Sequence, residues 1–290
     1  MIKYRIIVNS LTEYLKVIHR TEHLDFFWYR GQRYSEFQLE PSRFRDKYEI
    51  RNNEPYFTNR VSYRVRDDLK ALKDFKRAYK RECGDKGYSD IYYLYLMQHY
   101  GVPTRLLDFS TNPLVALYFS VAEKNDVDLN KEEYALSGTM FDYNCESSAV
   151  YCIDPHYVNR HSFNTQDIVD LSSYNFKTLN NLDFPICIKP REISIDKRLE
   201  KQKGVFVCYG TMIHPLDYYS IDENHMLKII IPNSKRAKIK RQLKREFGID
   251  ETFLFPDEND TSQIVPRILE RMEKRHKDNI QKIKISSLIK

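Results

Sequence analysis

Glycine is scarce in this chain, with 8 residues in 290, and long apolar runs are absent. So few glycines leave little room for a glycine-rich nucleotide loop, and neither a P-loop nor a GxGxxG fingerprint occurs. No segment approaches about 18 consecutive apolar residues, so we expect no transmembrane helix and no membrane partner. The opening MIKYRIIVNS lacks the apolar core of a signal peptide. These absences predict a cytoplasmic protein outside the P-loop and Rossmann nucleotide-binding classes.

Cysteine is present but forms no recognisable motif. The five cysteines are scattered and make no CxxC pair, so we expect a reducing compartment and no zinc site. HExxH and GxSxG are also missing, which removes support for a metalloprotease or a serine hydrolase. We therefore expect no metal cofactor.

The charge is mildly positive, at +6 overall. This balance permits contact with nucleic acid or with an anionic ligand. Residues 235–247 form a predicted helix that concentrates lysine and arginine beside an apolar side made of Ile239, Leu243 and Phe247. A solvated helix face and a nucleic-acid-binding surface both remain open interpretations of this helix.

Hydrophobic periodicity alternates between helical and extended segments. The predicted helices cover residues 10–23, 61–81, 90–100, a buried helix opened by Asn112-Pro113, residues 235–247, and a last helix from about 261. The predicted strands are 26–30, stopped by Gly31, then 104–109, 149–153, 186–188, 205–209 and 227–231. This pattern predicts an α+β fold, with one domain over 1–262 that includes an N-terminal helical region, and a helical, basic extension over 263–290.

A polar cluster stands directly before the predicted buried helix. Asn112 is a preferred N-cap and Pro113 suits the first helical position. Capping needs only Asn112, yet Ser110 and Thr111 add two more polar side chains where free amides and the helix dipole attract anions. Simple capping and anion binding therefore both remain open.

Arg30 follows three aromatic residues at a predicted strand end and precedes Gly31 and Gln32. A guanidinium held by an aromatic wall can bind a phosphate or carboxylate through its fork of donors. A surface ion pair explains the same pattern equally well.

Three further residues are candidates because of their position. Arg105 and Asp108 are three apart in an extended segment and so fall on opposite faces, which predicts that one is structural and the other reaches a cleft. His99 lies among tyrosines, where it could contact a ribose, act as a general base or simply pack against its neighbours.

From spacing alone, residues 197–204 form an ordinary exposed turn.

Together these motifs resemble the FRG-domain family. The aromatic-Arg-Gly motif is Tyr29-Arg30-Gly31, and the most specific block is QHYGVPTRLLDF at 98–109. R-x-x-x-Q-x-G-x-F at 198–206 and LFPD at 254–257 continue the resemblance. It implies a bacterial or phage-related protein with a role in conflict or defence, and it does not by itself specify an activity.

The motif order is also similar to the ADP-ribosyltransferase fold. That resemblance implies a mixed sheet flanked by helices, with NAD as substrate, Arg30 as the phosphate clamp and Ser110 with Thr111 beside the nicotinamide. His99 or Gln202 would hold the ribose, and Glu200 would be the catalytic carboxylate. Glu200 precedes Gln202, the reverse of the usual order, so another carboxylate could serve, or none. The remaining implied ligand contacts are Gly31, Gln32, Arg105, Asp108, Asn112 and Arg198.

We therefore predict an FRG-domain protein that binds an NAD-like nucleotide. As an enzyme it would be a mono-ADP-ribosyltransferase or an NAD glycohydrolase, with a protein or nucleic acid as the acceptor. The alternative is a non-catalytic module that binds a nucleotide or a nucleic acid. A nuclease is less favoured because the carboxylates show no clustering that would bind Mg²⁺. The oligomeric state stays open.

Overall fold

A seven-stranded mixed sheet organises the part of the chain that the structure describes. The structure is a computed structural model. It describes residues 5–21, 28–35, 37–41, 44, 47–51, 54–58, 65–122, 147–164, 167–170, 184–190, 197–210, 214–218, 221, 224–256 and 266–272.

The strands of this sheet come from both halves of the chain. They are β1 (Arg5–Ile7), β2 (Trp28–Gln32), β5 (Leu106–Ser110), β6 (Ser147–Ile153), β7 (Ile186–Ile188), β8 (Gly204–Cys208) and β9 (Met226–Pro232). Their order across the sheet is β1-β9-β6-β2-β5-β8-β7. β1 and β9 are parallel, and the other neighbours are antiparallel. β3 (Lys47–Arg51) and β4 (Glu54–Thr58) form a separate antiparallel pair.

Helices cover the sheet and confirm the predicted α+β class. They are α1 (Leu11–Thr21), α2 (Val65–Cys83), α3 (Asp90–His99), α4 (Pro113–Val121), α5 (Pro155–Phe163), α6 (Lys197–Lys201), α7 (Asn233–Phe247), α8 (Glu251–Leu254) and α9 (266–272). Within the described residues, no helix combines the length and the apolar character needed to span a membrane.

One face of the sheet carries two separate helical groups. α1, α4 and α7 pack over β9, β6 and β2, where Tyr14, Val115 and Ile229 belong to one buried cluster. α2 and α3 pack over β5, β8 and β7 and form a second cluster, which includes Leu106. The opposite face has its own core around Tyr151. The two helical groups therefore meet above the centre of the sheet, between β2 and β5.

The two central strands diverge at this point. β2 and β5 are in register only at Tyr29 and Ser110. Each instead pairs along five residues with its outer neighbour, β2 with β6 and β5 with β8. The sheet consequently opens between its two halves beyond this single pair.

Two predicted element boundaries are wrong. β2 does not stop at Gly31, because its pairing with β6 continues through Gly31 and Gln32. The sequence also predicts Ser234 as the N-cap of the basic helix, but α7 already begins at Asn233, and Pro232 at the cap position makes no side-chain hydrogen bond. The predicted residues 26–27, 61–64 and 261–265 lie outside the described residues.

Local signals at other ends are confirmed. The Asn112 side chain accepts a hydrogen bond from the amide of Leu114 and Pro113 opens α4, as the N-cap preference predicts. α4 is buried on most of its surface, in agreement with its nearly uniform apolar sequence. Gly248 closes α7 with a φ of 66°, a left-handed conformation that glycine adopts without strain.

Candidate functional site

A cavity of about 320 Å³ lies where β2 and β5 diverge. The sheet contributes its floor, and α3, α4 and α6 surround it. The residues that line it are Tyr29, Arg30, Gly31, Tyr95, Gln98, His99, Asp108, Phe109, Ser110, Ala116, Phe119, Arg198, Leu199, Gln202 and Phe206. This combination of cations, amides, hydroxyls and aromatic rings is typical of a site for a polar, partly aromatic ligand.

Arg30 lies at the divergence of the strands and bonds to the opposite one. Its Nη1 donates to the backbone carbonyl oxygen of Asp108 at 2.6 Å and lies 3.8 Å from Asp108 Oδ2. The Arg30 side chain is 15% exposed. The guanidinium is therefore fixed within the cavity wall, with part of its surface open to a ligand.

Asp108 interrupts an otherwise buried strand. The other four residues of β5 are buried, whereas the Asp108 side chain is 54% exposed. Gln98 Nε2 donates to Asp108 Oδ2 at 2.8 Å. Asp108 is the one carboxylate among the described residues that line the cavity.

Aromatic side chains form two walls of the cavity. On one side, the ring of Tyr95 stacks on that of Phe206, with centroids 4.8 Å apart and planes 24° apart. Burial raises the pKa of Tyr95 well above its ordinary value, so its phenol stays neutral. On the other side, the Arg198 guanidinium lies 4.5 Å from the ring centroid of Phe255, which meets Phe119 edge-on. Tyr95, Phe206 and Phe119 line the cavity and can contact a flat ring, whereas Phe255 supports Arg198 from outside the lining.

The corner between β5 and α4 is tied to the turn between α6 and β8. Ser110 Oγ donates to the backbone carbonyl of Gln202 at 2.7 Å and accepts from the amide of Asn112 at 3.0 Å. The amide of Thr111 donates to the carbonyl of Lys203. Gln202 Nε2 in turn donates to the carbonyl of Leu254 at 3.2 Å. These bonds hold α6, and Arg198 with it, at the mouth of the cavity.

The structure brings seven of the predicted site residues together around this cavity: Arg30, Gly31, His99, Asp108, Ser110, Arg198 and Gln202. The remaining five do not line it, and they fall into two groups. Gln32 and Arg105 are buried, with side chains that donate to the backbone carbonyls of Gln38 and Tyr209 respectively. Thr111, Asn112 and Glu200 lie nearer the surface, on the α4 corner and on α6.

Eight of the lining residues were not among the predicted site residues. These are Tyr29, Tyr95, Gln98, Phe109, Ala116, Phe119, Leu199 and Phe206. A signal for two of them was present, because Tyr95, Gln98 and His99 have the i, i+3, i+4 spacing of a single helix face. Phe206 ends the 198–206 motif, but no spacing in the sequence indicates its contact with Tyr95, which depends on the pairing of β8 with β5.

The basic helix α7 lies apart from the residues that line the cavity. Lys238, Arg241 and Arg245 are exposed and spaced i, i+3, i+7, which places them along one stripe. Arg245 pairs with Glu246 at 2.8 Å.

In the described part of the chain, no three His, Cys, Asp or Glu side chains lie close enough together to hold a metal ion.

Comparison with known families identifies the segment that contains most of this site. Residues 25–129 match the family model described as the FRG domain. The chain contains an FRG domain. The match includes β2, β5, α3 and α4, which carry Arg30, Gln98 and Asp108, while Arg198 and Gln202 lie beyond the FRG match. No curated protein and no solved structure matches the chain.

Proposed function

We propose that the cleft beside the FRG domain's two central strands binds a nucleotide, with NAD as the specific ligand. The observation that carries this proposal is the pairing of two guanidinium groups, Arg30 and Arg198, with the stacked rings of Tyr95 and Phe206 around one cavity. Guanidinium groups suit phosphates because their forked donors match phosphate oxygens. Stacked aromatic rings suit a base or a nicotinamide.

The size and polarity of the cavity support the same ligand class. Its volume of about 320 Å³ falls at the lower end of the usual range for small-molecule sites, about 300–1,000 Å³. A cavity of this size would hold only part of a dinucleotide. His99 and Gln202 line the same space and offer hydrogen bonds to ribose hydroxyls.

In its enzymatic form the proposal is cleavage of the bond between nicotinamide and ribose. ADP-ribose would then pass to water, as in an NAD glycohydrolase, or to a protein or nucleic acid, as in a mono-ADP-ribosyltransferase. The transition state places positive charge on the ribose, and a carboxylate in the cleft stabilises that charge. A role in conflict between bacteria and phage, as the FRG resemblance implies, belongs to the same proposal.

The test is a calorimetric titration with NAD, followed by chromatography of released nicotinamide. We expect Arg30→Ala to weaken NAD binding at least tenfold, and Arg30→Lys to restore only part of it, because lysine keeps the charge but not the fork. Arg241→Ala, an exposed cation on α7 and outside the cavity, is the matched control and should bind NAD as the wild type does. Unchanged thermal melting in each variant confirms that folding is intact.

The outcomes separate the candidate functions. Binding together with release establishes an NAD-consuming enzyme, and binding without release favours a non-catalytic nucleotide-binding module. Absence of NAD binding contradicts the proposal.

The second candidate function is nucleic-acid binding by α7. Lys238 and Arg241 favour it, because both face solvent with no acidic side chain paired to them among the described residues. It predicts DNA or RNA binding that falls steeply with salt and is weakened by Arg241→Ala.

A further inference from the structure

We infer that Asp108 is the carboxylate that acts on the ribose of the bound nucleotide, and that Gln98 and Thr104 are positioning residues that hold it in place. This inference rests on the proposed function, because it assigns roles within the same cleft. It also differs from the sequence-based expectation, which gave the catalytic role to Glu200.

The position of Asp108 is the first argument. A charged side chain in the middle of a buried strand is costly unless it reaches solvent or a partner. Asp108 occupies this position in β5, and its side chain opens into the cavity. Glu200 lies on the exposed surface of α6 and does not line the cavity. Of these two carboxylates, Asp108 is therefore the one that a ligand in the cleft can touch.

The second argument is a chain of hydrogen bonds whose direction is fixed. The backbone amide of Leu106 donates to Thr104 Oγ1 at 3.1 Å. The Thr104 hydroxyl uses its own proton to donate to Gln98 Oε1 at 2.5 Å. Because the carbonyl side of the Gln98 amide is occupied in this way, its Nε2 faces Asp108 Oδ2, at 2.8 Å. Thr104 is 1% exposed, so water does not compete for this hydroxyl.

Arg30 restrains the same residue from the other side. Its Nη1 bonds to the Asp108 backbone carbonyl and lies 3.8 Å from Oδ2. Oδ2 is thus held by Gln98 and approached by Arg30. In the described part of the chain no donor contacts Oδ1, which leaves that oxygen for the ligand. Reactive carboxylates need this kind of support, since small displacements of an oriented group cost large factors in rate.

The chemical step balances without a further reactant besides water. The bond between ribose C1′ and the nicotinamide nitrogen breaks, and its electron pair stays on that nitrogen, so the released ring is neutral. The carboxylate of Asp108 stabilises the cationic ribose. A water oxygen, or the corresponding atom of an acceptor, then bonds to C1′. Its proton passes to Asp108 Oδ1 and from there to solvent.

The experiment measures NAD dissociation constants and nicotinamide release for the full chain and five variants. We expect Asp108→Asn to lower kcat at least a hundredfold while the dissociation constant for NAD changes less than threefold. Gln98→Leu and Thr104→Val should lower kcat about tenfold with KM nearly unchanged. Thr104→Ser retains the hydroxyl and should keep a kcat near that of the wild type, whereas Thr104→Val keeps the shape of threonine but lacks the hydroxyl. If Thr104 served only for packing, Thr104→Val would instead have the higher kcat of the two.

Failure of this inference is distinguishable from failure of the proposed function. If the wild type releases nicotinamide and Asp108→Asn retains turnover, or Glu200→Gln loses it, Asp108 is not the acting carboxylate although the function stands. Equal turnover in Thr104→Ser and Thr104→Val overturns the positioning roles. If the wild-type protein releases no nicotinamide at all, the proposed enzymatic function is wrong and the inference is overturned with it.

Discussion

At the scale of single residues, Gly31 shows that a motif residue can act through its lack of a side chain. A Cβ atom at this position would lie 1.9 Å from the carbonyl oxygen of Ala116 and 2.6 Å from the amide nitrogen of Ser120. α4 therefore rests directly on the backbone of β2. This close approach brings Ala116 and Phe119 to the cavity wall, so the glycine shapes the site without needing to contact a ligand.

We expect Gly31→Ala to lower the free energy of unfolding by about 3 kcal/mol, because the clash is with backbone atoms that cannot rotate away. Gly204→Ala is the matched control. Its Cβ would also be close to another atom, at 2.2 Å, but that atom is Cδ1 of Leu199, the end of a flexible side chain. The control should cost about 1 kcal/mol. Urea denaturation measures both, and equal losses would show that backbone contact with α4 is not the cause.

At the scale of elements, the short helix α8 supports one wall of the cavity. Asp250 at its N-cap accepts from the amide of Phe253 at 3.0 Å and pairs with Lys244 of α7 at 3.2 Å. The hydrogen bond from the Phe253 amide, together with the Lys244 ammonium, lowers the pKa of Asp250 below its ordinary value. α8 ends at Leu254, whose carbonyl accepts the hydrogen bond from Gln202. The next residue, Phe255, provides the ring over which the Arg198 guanidinium lies. The N-cap of α8 therefore helps to position Arg198.

We expect Asp250→Ala to destabilise the protein by about 1 kcal/mol at pH 7, the usual cost of a lost N-cap. Since the pKa of Asp250 is lowered by folding, its ionised form contributes stability above the ordinary carboxyl pKa, and this contribution is lost as the pH falls through the folded value. The difference between wild type and Asp250→Ala should therefore shrink below about pH 4. Asp250→Asn keeps a side-chain oxygen that can accept the capping hydrogen bond, so it should lose less stability than Asp250→Ala. Urea denaturation at several pH values tests this, and a difference independent of pH would contradict it.

Sequence signals predicted elements well where one short stretch of chain decides the outcome. Asn112 and Pro113 specify the start of α4, and Gly248 specifies the end of α7, because capping depends on neighbouring residues alone. β2 was predicted too short, since its continuation through Gly31 depends on pairing with β6, more than a hundred residues away. The same limit explains why Asp108 and Arg105 could be separated by face but not assigned to cleft or core.

The candidate site was predicted in part for a related physical reason. Arg30, Asp108 and Ser110 lie in motifs that the sequence makes visible. Their meeting requires the divergence of β2 from β5, which no local pattern encodes. The wall formed by Phe206 and Tyr95 depends likewise on strand pairing over long range.

At the scale of the whole molecule, the FRG match does not contain a complete sheet. Residues 25–129 include β2 and β5, which are in register at a single residue pair. The strands that pair with them along five residues each, β6 and β8, lie beyond the match. Arg198, Gln202 and Phe206, which complete the cavity, also lie beyond it. The matched segment therefore depends on strands and side chains between residues 147 and 208 for both its hydrogen bonds and its site.

We expect a fragment of residues 25–129 to show no cooperative unfolding by circular dichroism and no binding of NAD. Two strands joined at one position leave their remaining backbone groups unpaired, and apolar residues such as Leu106 lose the β8 side of their core. A fragment of residues 1–272 retains every described element of the sheet and the helix at 266–272, and it should melt cooperatively like the full chain. It is the matched control for truncation as such. A cooperative transition in the 25–129 fragment would show instead that β2 and β5 find another pairing without β6 and β8, and that the seven-stranded order is not required for the FRG segment to fold.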